Sequence, residues 1–265
     1  MAAPCIARLD SRAAVAVSGE GWRSFLQGLL SQDVESLADG ETRFGALLTP
    51  QGRVIHDLFI HGRPDGCLLD VARAGRDDLI QRLTLYRLRA KVEIAPFDAA
   101  SVWAAWPNAF GEGWREDPRL PALGSRAYRV TEPETANATE ADYDAHCREL
   151  GAPGPADWAD GSIYPIEANF DLLNGVDFKK GCFVGQETTS RMKRRGQIKN
   201  RMLPIASEGP APAAGSEVLA GDLRAGEVRS SGARLAMALL RLDRIDGPLT
   251  VDGRTVHVEK PAWMG

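Results

Sequence analysis

The pattern from Arg12 to Ser18 alternates in the manner of a short strand. Gly19 to Gly21 then turns the chain into Trp22 to Leu30, where Trp22, Phe25, Leu26, Leu29 and Leu30 recur at helical spacing and predict a helix packed on a core. Arg43 to Leu48 and Val54 to His61 read as two strands joined by Thr49-Pro-Gln-Gly52, a hairpin whose Pro and Gly are turn residues. Cys67 to Ala72 is a further apolar strand. Gly75-Arg-Asp-Asp78 has the acidic first turn of a helix continuing to about Leu88, and Lys91 to Ile94 alternates again. Strand, helix, strands, helix, strand is an α+β order with antiparallel hairpins, not the regular βαβ rhythm of a doubly wound sheet.

From Asn108 to Asp160 the chain is rich in Pro, Gly and acids, with one amphipathic stretch near Glu140 to Leu150. After Arg201 short strands return at Met202–Ala206, Glu217–Ala220, Ala225–Arg229, Arg234–Leu240 and Thr255–Glu259, punctuated by Pro210, Pro212, Asp246-Gly247 and Asp252-Gly253. This pattern predicts a small β-barrel lobe over 201–265, following a region 1–200 built of α+β elements.

Composition narrows the class. With 44% hydrophobic and 26% charged residues and a net charge of −4, the 265-residue chain can bury a core, which excludes disorder and collagen-like repeats. No stretch approaches the ~20 apolar residues that span a bilayer, and the first ten residues lack a basic start followed by an apolar run, so a cytoplasmic protein is expected. The four cysteines, Cys5, Cys67, Cys147 and Cys182, lie far apart, as do the four histidines. Neither a disulfide scaffold nor a zinc or iron–sulfur site held by this chain alone is expected, because such sites use closely spaced ligands.

Charge is unevenly spread. From Lys179 to Arg201 eight basic residues face one acid, a net +7 that leaves −11 elsewhere. Such a run is a solvated helix face, or it attracts a small anion, an acidic protein or nucleic acid. Stacking aromatics are missing from 184–201, which ranks nucleic acid below the other two.

Candidate chemistry lies between Tyr164 and Arg195. Tyr164-Pro-Ile-Glu-Ala-Asn-Phe-Asp171 puts Glu167 in an apolar, aromatic setting, where a carboxylate either accepts paired N–H donors from a pterin or purine or simply caps a helix. In Phe178-Lys-Lys-Gly-Cys-Phe-Val-Gly-Gln-Glu-Thr-Thr-Ser190, two glycines permit close backbone approach, and the polar run from Gln186 through Arg195 reads as a helix. Cys182 would then precede a helix N-terminus beside Lys179 and Lys180. That placement favours a reactive thiolate; the alternative is a buried structural cysteine.

Lys180-Gly-Cys-Phe-Val-Gly-Gln-Glu187 resembles the signature of the folate-binding, T-protein-like factors of iron–sulfur protein assembly, the YgfZ family and its mitochondrial relatives. Phe25 to Asp33, Leu47 to Asp57, Leu88 to Val92 and Pro165 to Asp171 resemble family segments in the same order. The resemblance implies the T-protein fold, a three-lobed ring around a central folate pocket with the C-terminal barrel as one lobe. It further implies a tetrahydrofolate cofactor whose pterin is bound by Glu167, with Asp57 and His56 lining the pocket and Lys179 or Lys180 drawing the folate's glutamate tail. Cys182 would be the functional thiol. T-proteins carry an acidic pair where this chain has His56-Asp57, which weakens the case for aminomethyl transfer. The function implied is thus a tetrahydrofolate-binding accessory protein for assembly, maturation or repair of iron–sulfur clusters, with assembly machinery or client enzymes as partners. The alternative is an active folate-dependent one-carbon transferase or demethylase on the same fold. Replacing Glu167 with Ala is expected to leave folding intact while weakening tetrahydrofolate binding.

Overall fold

The structure, a computed structural model, describes residues 4–107, 111–131, 136–196 and 198–265. In chain order its elements begin with β1 (Cys5–Arg8), β2 (Arg12–Ser18), α1 (Trp22–Gln27), β3 (Thr42–Leu48), β4 (Val54–Arg63), β5 (Gly66–Ala72), α2 (Arg76–Arg87) and β6 (Glu93–Phe97). There follow β7 (Ser101–Trp106), β8 (Arg115–Glu116), β9 (Ser125–Arg129), α3 (Glu140–Glu149) and α4 (Gln186–Arg195). The last six strands are β10 (Asn200–Ser207), β11 (Glu217–Ala220), β12 (Leu223–Ser231), β13 (Leu235–Arg241), β14 (Leu249–Val251) and β15 (Arg254–Val258). They form a closed barrel, beside a five-stranded sheet in the order β3-β4-β5-β2-β6 and a four-stranded sheet in the order β1-β7-β9-β8. The α+β class, the 43–61 hairpin and the barrel agree with the sequence reading.

The four-stranded sheet is where sequence and structure part. Its central strand β7, Ser-Val-Trp-Ala-Ala-Trp, is buried at five consecutive positions. A strand covered on both faces has no alternation to read. At the other extreme β6 is mostly exposed and starts two residues later than its alternation suggests, with Pro96 tolerated because the strand lies at the sheet edge. Helix α1 stops at Gln27 because Gly28 caps it, yet Leu29 and Leu30 still bury. Leu30 instead bridges to Leu47 of β3.

Two cores flank the five-stranded sheet. On one face Val15, Leu58, Ile60 and Leu69 pack against Leu26 of α1 and Leu79 and Leu83 of α2. On the other, Phe44 and Phe59 join Trp158, Phe170 and Phe183 with Met202 and Met237 of the barrel. The rings of Phe44 and Phe170 are 4.8 Å apart, and Trp158 meets Phe170 edge-on at 5.3 Å. This aromatic layer is what attaches the barrel to the sheet.

The two sheets are joined by charge. Asp70 of β5 is fully buried and accepts from Arg12 Nε of β2 at 2.6 Å, Arg126 Nη1 of β9 at 2.8 Å and the Tyr128 hydroxyl at 3.3 Å. A second Arg12 nitrogen reaches Asp57 of β4 at 2.8 Å. Burial works against the Arg12 charge, yet Asp57 and Asp70 together hold its pKa above the ordinary value. Replacing Asp70 by Ala leaves the buried Arg126 guanidinium without its carboxylate and Arg12 with Asp57 alone. We expect a loss of about 3–5 kcal/mol, the usual cost of removing one partner from a buried pair, read as a lowered midpoint of urea unfolding.

Candidate functional site

Where the two sheets, α3 and the barrel meet, they enclose a cavity of about 630 Å³. Asp57, Phe59, Arg12, Arg119, Arg126, Tyr143, Cys147, Asp157 and Met237 all line it. Three guanidinium groups gather over the Phe59 ring, with Arg126 at 3.7 Å, Arg119 at 4.9 Å and Arg12 at 5.5 Å from its centre. Arg119 grips Asp117 with two bonds of 3.0 and 2.8 Å, and the Tyr143 hydroxyl donates to the same carboxylate at 3.2 Å. Burial opposes the Asp117 charge, but Arg119 holds the carboxyl below its usual range. The floor is therefore a set of matched charges over an aromatic face, suited to a flat polar ligand. Burial raises the Cys147 thiol.

Of the residues singled out from the sequence, Asp57 alone lines this cavity. His56 is its neighbour on β4 and points to the opposite face of the sheet, as strand geometry requires. Its Nε2 lies 2.7 Å from Asp78 Oδ2 on α2. Burial lowers the His56 pKa despite that carboxylate.

Glu167 also lies outside the cavity lining. Its Oε2 accepts from the Tyr164 backbone N–H at 3.1 Å and its Oε1 from Asn200 Nδ2 at 2.9 Å, while its carbonyl accepts from the Met202 N–H at 2.8 Å. The carboxylate thus closes a turn and fastens it to β10, which corrects the expectation that its replacement leaves folding unaffected.

The octet folds as a clamp. Lys180 Nζ donates to the carbonyls of Gln27, Leu30 and Gln32 at 2.8, 2.6 and 2.8 Å. A cation there suits the C-terminal end of α1. Burial draws the Lys180 pKa down to about 8. The Val184 N–H donates to Gly28 O at 3.1 Å. Gly185, at φ +81°, begins α4 and packs on the β3–β4 turn so closely that a Cβ there would come within 2.7 Å of Thr49 O. Phe183 enters the aromatic core and Val184 the helix-side core, and between these anchors and exposed Gly181 the Cys182 thiol stands in solvent. Lys179 is exposed.

The basic run is partly internal. Buried Arg201 holds Asp171 with bonds of 2.5 and 3.0 Å, and Lys193 reaches the same carboxylate at 3.0 Å. Burial opposes the Asp171 charge, but Arg201 and Lys193 keep its pKa low. Arg191, Arg194 and Lys199 remain exposed. Among the described residues, no three His, Cys, Asp or Glu side chains are grouped to hold a metal ion. None of the described helices is long and apolar enough to cross a membrane.

The cavity residues missed from the sequence, Arg12, Arg119, Arg126, Cys147 and Asp157, come from four separate stretches of chain. The one available hint was Arg12, an arginine opening an otherwise apolar strand.

The architecture is that of the T-protein fold. The structure superposes on the glycine cleavage system aminomethyltransferase T from Bartonella henselae with a TM-score of 0.78 over 98% of this chain and 86% of that one, at 14% identity. Residues 199–265 match the family described as CAF17, C-terminal beta-barrel domain. Two curated relatives, the mitochondrial iron–sulfur cluster assembly factors IBA57 of Mus musculus and Homo sapiens, are each 30% identical over 92% of this chain and 79% of their own length. A homologue from Neurospora crassa is 31% identical over 78% of this chain and 55% of its own. The chain belongs to the IBA57 family of iron–sulfur cluster assembly factors.

Two predictions follow from this geometry. Glu167→Ala costs about 1–3 kcal/mol, since it orphans the Tyr164 and Asn200 donors, and this is measurable as a fall in thermal midpoint. Limited alkylation at neutral pH, read by peptide mass spectrometry, labels Cys182 well before Cys67, because Cys182 is exposed while burial pushes the Cys67 thiol up to about 12. Equal labelling of the two would mean that the octet does not present its thiol.

Proposed function

We propose that the protein is a cytoplasmic accessory factor for assembly or repair of iron–sulfur clusters. In this reading Cys182 is the thiol offered to a cluster or its carrier, and the central cavity binds a reduced folate. The observation that carries it is the clamp: a signature octet anchored on both sides by core residues holds one cysteine out in solvent. A single thiolate does not retain a cluster by itself, so the remaining ligands come from a partner. The IBA57 relatives, named as iron–sulfur cluster assembly factors, support the same role. Exposed Arg191, Arg194 and Lys199 supply positive charge that suits an acidic partner surface.

For folate the fit is one of size and chemistry. The cavity volume of about 630 Å³ falls in the range of small-molecule sites. Arg126 Nε is buried there without a partner. The guanidinium groups over Phe59 offer a flat polar face to a ring, and Arg73 and Arg148 stand on the lining to attract an anionic tail. Asp57, held by Arg12, brings the remaining acid of the T-protein pair to the cavity wall. When bound, a reduced folate supplies one-carbon and redox-active pterin chemistry. With His56 turned to α2, the acidic pair is incomplete, which favours an accessory role over aminomethyl transfer.

Deleting the gene is expected to lower the activities of several iron–sulfur enzymes together. Wild-type protein and the Cys5→Ser variant restore them, and Cys182→Ser does not. Full rescue by Cys182→Ser, or normal activities after deletion, would refute the reading.

A further inference from the structure

Among the described residues, five buried side chains carry a polar atom with no hydrogen-bond partner, and two of the five, Arg126 Nε and Asp157 Oδ1, belong to residues lining the central cavity. An unmet buried donor or acceptor costs about 1–3 kcal/mol, so native chains keep few of them. Two on the same cavity point to a group that arrives from outside.

The rest of each side chain is firmly held. Asp157 is 3% exposed, and its Oδ2 accepts from the Gly154 N–H at 2.8 Å, closing the tight turn Pro155 to Asp157. Arg229 Nε donates to the Asp157 carbonyl at 3.2 Å, which fastens that turn to β12. Its Oδ1 makes no close hydrogen bond, with the Ser230 hydroxyl of the same cavity wall near the carboxylate. Arg126 is 4% exposed, donates Nη1 to Asp70 at 2.8 Å and lies 3.7 Å over the Phe59 ring, and its Nε–H is buried without a partner. One wall therefore offers an acceptor and another a donor, and the Phe59 ring is already covered by the flat Arg126 guanidinium. The complement is a flat heterocycle with an N–H donor and an acceptor atom on its edges.

We propose that Asp157 and Arg126 are the ring-recognition pair of the central cavity, Asp157 accepting an N–H of the heterocycle and Arg126 Nε–H donating to one of its acceptors. The assignment rests on the folate reading and sharpens it. Pterin recognition passes from Glu167, whose two carboxylate oxygens are engaged elsewhere, to Asp157. Burial raises the Asp157 carboxyl, although Ser230, the Gly154 N–H and the charges of Arg148 and Arg229 all favour its ionised form.

The test titrates 5-formyltetrahydrofolate into the purified full-length protein by calorimetry. Asp157→Asn puts a donor where an acceptor is needed, and Asp157→Ser keeps a hydroxyl near the Gly154 N–H but removes the second oxygen. Each is expected to bind about tenfold to hundredfold more weakly than wild type, the effect of one hydrogen bond to a charged group. Glu167→Gln stays within about threefold by the same scale. A further arm needs no variant: 5-formyltetrahydrofolate methylated at N3 and dimethylated on the 2-amino group has no N–H on that edge, and wild-type protein is expected to bind it at least about tenfold more weakly. An Asp157 variant that melts cooperatively and binds like wild type, or equal binding of the methylated ligand, overturns the assignment while leaving folate binding intact. Absence of any binding by wild-type protein overturns the folate reading itself, and the assignment with it.

Discussion

Asp70 sits in β5 with no exposure to water, and its carboxylate is matched by Arg12 from its own sheet and Arg126 from the neighbouring one at 2.6 and 2.8 Å. A buried charge is tolerable only with partners placed to this accuracy, so the pair of guanidinium groups dictates how the five-stranded and four-stranded sheets meet. The cavity follows from that junction. Arg12 carries the constraint on to Asp57, Arg126 lies flat on Phe59, and Phe59 belongs to the aromatic layer that attaches the barrel. One network thus shapes the cavity and couples it to the stability of all three lobes.

Cys182 depends on a different constraint. Lys180 satisfies three carbonyls at the end of α1, and Gly185 meets the β3–β4 turn at a separation no side chain allows. Three segments far apart in the chain, around Gln27, Gly52 and Gly185, are thereby locked together. The short loop between the lysine and the glycine has little freedom left, and its cysteine faces outward. Lys180 thus acts through structure, by holding the thiol in place, rather than through a ligand.

Cavity and thiol are separate features, since Cys182 is not among the residues that line the cavity. A ligand in the cavity would bear on the thiol through the aromatic layer that Phe59 and Phe183 share.

Much of this was legible in the chain itself. Runs of strand length bounded by turn residues marked β2, the β3–β4 hairpin and five of the six barrel strands, an acidic first turn marked α2, and an amphipathic stretch marked α3, whereas the three-residue β14 was too short to read. Local backbone needs marked the octet, whose glycine and lysine serve contacts that only those residues make. The four-stranded sheet was not legible, since β7 is buried on both faces and carries no period. The cavity was hidden for a related reason. Its arginines and acids are single residues on different elements, and a lone charge in a sequence reads as surface until the fold buries it beside its partner. Asp57 and His56 show the limit most clearly: adjacent in the chain and alike in polarity, they are sent by the pleat to opposite faces of one strand, and only the packing of α2 and the second sheet on those faces decided which of them would line the cavity.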